Sequence, residues 1–247
     1  MTEKEWLTAR EPDDLLEFLR ERASDRQFRL FICACCRRFL PLMPKKPEYD
    51  VKLCEKYIVH GEKFAEELIT WPKLQESFHE MEFVDVSHDG YLAAYAARMA
   101  IDRDIAGSTR PMLRGRNLIA HPASTGAQYS RTVVGRLLAT SKTAKGTTPT
   151  SKKRMATVAE KRYQIDILHD IFGNPFQPIA FDPSWQTSTA ISLALQVYES
   201  RDFSLMPILA DALQDAGCDN SEVLNHCSGT GPHVRGCWVI NRLRAKS

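Results

Sequence analysis

Apolar residues recur three and four positions apart along most of this chain. In "LMPILADAL" they fall at Leu205, Ile208, Leu209, Ala212 and Leu213. This spacing places all five on one face of an α-helix. Pro207 fits the first turn of that helix, and Gly217 fits a left-handed C-terminal cap. Strand-like alternation is brief, as in "FVDVS", so the sequence predicts an all-α fold.

Other segments carry the same helical signals. Pro12 fits the first turn of one helix, and Ser24 or Asp25 can cap another. Within that second helix the run Leu30–Cys36 is apolar on all sides, which predicts a central position. The stretch "PFQPIAFDP" (175–183) contains three prolines, each of which moves the preceding residue out of the helical region. We therefore expect an irregular multi-helix bundle with extended proline-rich connections.

Several further helices are predicted with approximate boundaries. One covers Val51–Ile69, one runs from about Lys153 to Phe172, and a last helix begins at Pro232. The stretch "RTVVGRLL" (131–138) is rich in β-branched residues but also fits a helix.

The composition is typical of a soluble globular protein. The chain has 247 residues, 43% of them hydrophobic, and no apolar run approaches the roughly 18 residues that span a bilayer. Its start, Met1–Trp6, lacks the charged and then apolar pattern of a secretory signal. We expect a cytoplasmic protein with no membrane partner. Its seven cysteines are then reduced and form no disulfide framework.

A polar stretch provides the best candidate for a domain boundary. Residues Ser141–Ser151, "SKTAKGTTPTS", are rich in Thr, Gly and Pro and predict a mobile loop. We expect a helical region over 1–140, a basic loop over 141–152 and a second helical region over 153–247. The two helical regions can also pack as one domain.

The segment Ala216–Ile240 concentrates three cysteines and two histidines in a short stretch. Asp219, with Glu222 three residues later, resembles a capping box for a short helix. In a last helix that begins at Pro232, His233 and Cys237 lie four residues apart and share a face.

These side chains are candidate ligands of a structural zinc ion, which would take Cys and His ligands in a tetrahedral site. The candidate set is Cys218, Cys227, His233 and Cys237, with His226 as an alternate ligand. Such an ion would connect the end of one helix to two short helices, and its binding energy would count as folding energy.

Two other interpretations of the same cluster stay open. The cluster contains no C-x-x-C pair, and free cysteine is often fully buried, so these residues also fit a core of thiols and hydrogen-bonded histidines. Catalysis would instead pair Cys227 or Cys237 with His226 or His233. The separate "CACC" run, Cys33–Cys36, lies in the all-apolar helix and predicts core packing.

The net charge of +2 conceals a basic segment. Residues 110–162 contain twelve Lys or Arg and one acid, Glu160, while the rest of the chain is acidic. Such a segment can follow a phosphate backbone. The candidate nucleic-acid contacts are Lys142, Lys145, Lys152, Lys153 and Arg154.

Four longer motifs support a resemblance. They are "ASDRQFRLFICACCRRF", "DILHDIFGNPFQPIAFDPSW", "MPILADALQDAGC" and "HCSGTGPHVRGCWVI". Together they resemble an uncharacterised bacterial family of multi-copy proteins to which no activity is assigned. The region Val51–Lys152 departs from that family. The resemblance implies a shared fold and a soluble bacterial context, and it supplies no mechanism.

These observations predict a non-catalytic helical interaction or adaptor protein that binds a protein partner and contains the structural zinc site. One alternative is a nucleic-acid-binding accessory protein that uses residues 110–162. The other is an enzyme with its chemistry at the C-terminal Cys/His cluster. The enzyme is disfavoured because the chain lacks a phosphate-binding loop, a dinucleotide fingerprint, an H-E-x-x-H motif and a G-x-S-x-G motif.

Overall fold

A computed structural model describes residues 1–46, 50–76, 89–100, 102, 122–139 and 148–245. Over these ranges the chain forms α-helices, short 3₁₀ turns and no strand, which confirms the predicted all-α fold. None of the described helices is both long and apolar enough to cross a membrane. The stretch "FVDVS" lies outside the described residues.

Twelve α-helices are present in the described ranges. They are α1 (Glu3–Leu7), α2 (Pro12–Leu19), α3 (Asp25–Phe39), α4 (Val51–Ala65), α5 (Trp71–Gln75), α6 (Asp89–Met99), α7 (Pro122–Ala139), α8 (Pro149–Phe172), α9 (Ser188–Ser200), α10 (Met206–Asp215), α11 (Ser221–Ser228) and α12 (Trp238–Leu243).

The chain divides into two compact units. The terminal unit combines residues 1–8 with residues 166–247, and the central unit consists of residues 9–165. Helix α8 contributes residues to both. The loop predicted over 141–152 is only partly described, because residues 141–147 lie outside the described ranges and Pro149–Ser151 already belong to α8.

In the central unit, α3 packs against α4, α6 and α7. Every residue from Leu30 to Cys36 is buried, as the all-round apolar run predicted. Ser24 caps this helix in a capping box with Gln27, because each side chain reaches the backbone N–H of the other residue. Cys33, Cys35 and Cys36 are therefore core residues, which confirms their predicted role. The β-branched stretch "RTVVGRLL" is helical and lies in α7.

In the terminal unit, α10 packs against α9 and α11, and α9 also contacts α12. Gly217 ends the α10 region with a φ of +86°, and the N–H of Cys218 donates to the carbonyl of Leu213. This is the expected left-handed cap, after which Cys218 folds back into the core. Helix α1 belongs to the same unit through Trp6, which is buried and stacks obliquely on the ring of His169.

Two local predictions near the C-terminus are wrong. Helix α11 is capped by Asn220, not Asp219, because the Asn220 side chain accepts from the N–H groups of Glu222 and Val223. The last helix begins at Trp238, not Pro232. Gly236 has a φ of +107°, outside the helical region, so the residues before α12 form a turn.

Candidate metal centre

Four side chains of the terminal unit converge in a largely buried cluster. Asp170, His226, His233 and Cys237 each offer one ligand atom, and these atoms all lie within 4.8 Å of one another. Carboxylate oxygen, imidazole nitrogen and thiolate sulfur are all established zinc ligands. The cluster can therefore hold a metal ion.

The four ligands come from α8, from α11 and from the connection between α11 and α12. Asp170 lies near the C-terminal end of α8, His226 near the end of α11, and Cys237 at the residue that precedes α12. His233 lies in the turn between α11 and α12. The cluster thus connects segments that are distant in the sequence.

Asp170 organises the turn that carries His233. One carboxylate oxygen of Asp170 lies 2.7 Å from Nδ1 of His233, and the other accepts from the backbone N–H of Val234 at 2.9 Å. Because both oxygens have a partner on the turn, the carboxylate fixes the direction of the His233 ring.

His226 occupies the middle of the cluster. Its Nε2 lies 3.2 Å from an oxygen of Asp170 and 3.2 Å from Sγ of Cys237. Its ring meets that of His233 edge to face, with the centroids 5.0 Å apart, and lies 5.3 Å from the ring of Trp238. These contacts hold the imidazole between the acidic and the thiol ligand.

His233 retains an unsatisfied nitrogen. Its side chain is only 6% exposed, and its Nε2 is buried without a hydrogen-bond partner among the described residues. A buried nitrogen without a partner is costly, and most such groups are satisfied by protein, water or an ion. Binding of a metal at this cluster would supply the missing partner if Nε2 is the ligating atom.

The electrostatics of the cluster favour a charged Asp170 and a neutral Cys237 thiol in the absence of metal. Burial alone would raise the pKa of Asp170, but hydrogen bonds to His226 and His233, together with their charges, outweigh burial and lower that pKa below its ordinary value. Burial, and then the nearby charge of Asp170, raise the pKa of the Cys237 thiol well above its ordinary value.

This arrangement does not fit a cysteine nucleophile. A catalytic histidine uses one ring nitrogen for the nucleophile and the other for the orienting acid. His226 instead presents the same Nε2 to both Asp170 and Cys237. Cys237 is also 0% exposed and has a raised pKa, whereas reactive thiols are partly exposed and have lowered pKa values.

The structure brings together only part of the predicted ligand set. His233, Cys237 and the alternate ligand His226 are in the cluster, while Cys218 and Cys227 are not among its members. Both of those thiols are packed in the apolar core of the terminal unit, and burial raises the pKa of Cys227 to about 12.

Sequence reasoning missed Asp170 altogether. A signal was present, because Ile167, Leu168 and Ile171 are buried on the same helix and place Asp170 among apolar positions. A carboxylate on a buried helix face requires a partner, and that requirement could have drawn attention to it.

The predicted nucleic-acid contacts are only partly described. Lys142 and Lys145 lie outside the described residues, whereas Lys152, Lys153 and Arg154 lie near the start of α8. Two other cations of the basic segment have structural roles. Arg131 is buried and pairs with Asp13 at 2.7 Å, and Lys161 pairs with Glu11 at 2.7 Å. Lys153 and Arg154 are exposed at the start of α8.

Comparison of the chain with family models, with curated proteins and with solved structures gave no significant match. The resemblance in the four sequence motifs therefore stays a prediction.

Proposed function

We propose that this protein is a non-catalytic helical interaction protein whose terminal unit is closed by a structural zinc ion. The ion would be held by Asp170, His226, His233 and Cys237. The proposal depends on one observation, which is the convergence within 4.8 Å of four mostly buried ligand atoms from α8, α11 and the connection before α12.

The elements that meet at the cluster would gain stability from a cross-link. Helix α11 spans Ser221–Ser228 and helix α12 spans Trp238–Leu243, so each has only one or two turns. Helices this short are not stable alone and depend on tertiary contacts. A zinc ion bound by residues of α8, α11 and the turn before α12 would contribute its binding energy directly to folding.

Two distances in the cluster come close to the geometry of a zinc site, and one is shorter. Tetrahedral zinc with bonds of about 2.0 to 2.3 Å separates its ligands by roughly 3.3 to 3.8 Å. His226 Nε2 lies 3.2 Å from both Cys237 Sγ and Asp170 Oδ1, close to that range. The 2.7 Å contact between Asp170 Oδ1 and His233 Nδ1 is shorter than that range, so these two atoms could bind one ion only after moving apart.

The donor set favours zinc over harder ions. Calcium and magnesium prefer oxygen ligands, whereas thiolate and imidazole ligands suit zinc. When bound, zinc would stabilise the Cys237 thiolate, and the remaining chemistry of these residues would be to position and neutralise the ion.

An interaction role has more support than the two alternatives. A reactive thiol is disfavoured by the burial of Cys237, so the cluster offers a scaffold rather than a reaction centre. Nucleic-acid binding has less support because Arg131 and Lys161 of the basic segment already pair with acids. A partner protein is consequently the proposed ligand.

The first test is elemental analysis of the purified, reduced protein together with two single variants. We expect about one zinc per chain in the wild type and in Cys227→Ser, and none in Cys237→Ser. The two thiols are a matched pair because both are buried in the same core, and each serine introduces a comparable buried hydroxyl.

A chelator should also lower the melting temperature of the wild type and leave Cys237→Ser unchanged, since the variant has no ion to lose. If elemental analysis finds no metal in the reduced wild type after zinc has been supplied, the zinc proposal is overturned. If both variants lose zinc equally, Cys227 would also have to be a ligand. Affinity capture with the zinc-loaded protein tests the interaction role, and the absence of any specifically retained protein would count against it.

A further inference from the structure

The indole of Trp238 meets the segments that carry three of the four candidate ligands. Trp238 follows Cys237 directly in the chain, and its ring lies 5.3 Å from the ring of His226. It also lies beside Gly173, three residues after Asp170, where an added Cβ would be 3.3 to 3.4 Å from three atoms of the indole. One side chain thus joins the parts of the terminal unit that come together around the candidate site.

The position of Trp238 is fixed by its backbone and by its surroundings. It is the first residue of α12, and the next two residues, Val239 and Ile240, are fully buried. The indole itself is partly buried and packs against the core of the terminal unit. Gly173 has a φ of +63°, which glycine adopts at little cost, and its lack of a side chain allows the indole to come this close. In such close packing the indole has little freedom to move.

His226 depends on ring contacts for its orientation once an ion is bound. Among the described residues, both of its polar contacts use Nε2, which lies 3.2 Å from Asp170 and 3.2 Å from Cys237. An ion bound at Nε2 replaces these contacts, and the imidazole can then turn about the bond between Nε2 and the ion. The rings of His233 and Trp238 are its aromatic neighbours. Because His233 must itself move relative to Asp170 to bind the same ion, Trp238 is the fixed neighbour of the two.

We propose that Trp238 is a positioning residue of the metal centre, with an indole that holds the His226 imidazole in the orientation that a tetrahedral ion requires. The inference rests on the metal site proposed above and adds a residue that is not itself a ligand. Mutation of side chains that orient metal ligands typically changes metal affinity by about 10- to 100-fold. Since the indole contacts His226 through its ring rather than through a hydrogen bond, we expect an effect of about tenfold.

A residue that only fills space would behave differently. Loss of the indole would then lower the free energy of unfolding by the same amount with and without metal, because the metal affinity would be unchanged. The coordination of the bound ion would also stay the same. The affinity and the coordination geometry of the ion are therefore the measurements that separate positioning from packing.

The test is titration of the reduced, metal-free full chain with Co²⁺, because tetrahedral Co²⁺ absorbs visible light far more strongly than six-coordinate Co²⁺. We expect strong tetrahedral bands from wild type and from Trp238→Phe, which retains a ring. Trp238→Leu, which retains only apolar bulk, should give weaker bands and bind Co²⁺ and, in competition, Zn²⁺ about tenfold more weakly. The matched control Trp185→Leu removes another indole from the core of the same unit, where its ring meets that of Phe181. It should bind Co²⁺ as wild type does.

Circular dichroism of the metal-free variants shows whether each is folded. If Trp238→Leu is not, Gly173→Ala replaces it, because its Cβ would displace the indole and should weaken the tetrahedral bands in the same way. Wild-type affinity and bands in the folded variant would overturn the inference, as would an equal loss in Trp185→Leu. Both results leave metal binding by the wild type intact, whereas a wild type that binds neither Co²⁺ nor Zn²⁺ would overturn the zinc proposal itself.

Discussion

Glu160 shows how burial without hydrogen bonds changes the pKa of a carboxyl group. Its side chain is 1% exposed, and neither carboxyl oxygen has a hydrogen-bond partner among the described residues. The guanidinium of Arg38 approaches to only 3.7 Å. Burial raises the pKa of Glu160 to about 7, against a partial opposing effect of the charges on Arg38 and Arg131.

This raised pKa makes the stability of the protein depend on pH. The contribution of Glu160 is fully present below its unfolded pKa of 4.5 and is lost as pH rises through about 7. The loss is on the order of 3 kcal/mol, since each pKa unit corresponds to about 1.4 kcal/mol. We expect Glu160→Gln to unfold at higher denaturant concentration than wild type at pH 8 and to remove much of the decline between pH 5 and pH 8.

Glu62 provides the matched control, because it is also buried in the central unit but receives two hydrogen bonds from Arg37, at 2.7 and 2.8 Å. Glu62→Gln should therefore destabilise the protein at pH 8, by a few kcal/mol. If both glutamine variants change stability in the same direction at pH 8, the assigned role of Glu160 is wrong.

At the scale of elements, Gly61 sets the distance between α4 and its neighbours. A Cβ at this position would lie 2.9 Å from the carbonyl oxygen of Ala100 and 3.1 Å from Sγ of Cys33. Both atoms belong to packed parts of the central unit, so neither can move freely to make room.

We expect Gly61→Ala to destabilise the protein by about 1 to 3 kcal/mol in urea unfolding, because overpacking exceeds the usual gain in helix propensity. Gly231→Ala is the control, since a Cβ there would meet nothing within 4 Å. Its effect should stay within about 0.5 kcal/mol. A Gly61→Ala variant as stable as wild type would show that α4 can shift away from Ala100 and Cys33.

The presence of a helix was predictable where the local sequence signals agree. Helix boundaries were not predictable where those signals conflict. The sequence predicted α4 through Ile69, but the helix ends at Ala65 because Glu67 adopts a φ of +60°. Glutamate is not a typical residue for that conformation, so nothing in the sequence marked the end. Pro232 similarly resembles the first residue of a helix. The residues after it form a turn instead, because Gly236 has a positive φ and Asp170 binds His233 and Val234.

Only the ligands that lie close together in the sequence were predictable. His226, His233 and Cys237 lie within one short segment, and their residue types indicated a metal centre. Asp170 lies 63 residues before His233. A single sequence contains periodicity and spacing but no record of which distant segments meet. The apolar residues around Asp170 could mark it as buried, but not as a neighbour of His226, His233 and Cys237.

At the scale of the whole molecule, the two units should respond differently to loss of metal. All four candidate ligands belong to the terminal unit. An ion that binds only the folded form of that unit stabilises it by mass action, and the central unit has a core of its own around α3.

We expect a zinc chelator to accelerate amide hydrogen exchange in residues 1–8 and 166–245 of the zinc-loaded protein. Exchange within α3, α4 and α7 should stay as it was, because cooperative units open separately. Cys237→Ser without chelator should reproduce the same pattern, and Cys227→Ser should not. Acceleration spread evenly over both units would contradict an ion that acts on the terminal unit alone.

The position of Trp6 has a consequence for the order in which the chain folds during synthesis. Its side chain is among the largest that are fully buried, and its backbone carbonyl lies 3.2 Å from the ring of His169, 163 residues later in the sequence. Trp6 is translated before the central unit, whereas residues 166–247, which complete its own unit, are translated after it. In a nascent chain halted before His169, the Trp6 indole therefore lacks the ring on which it stacks in the folded unit.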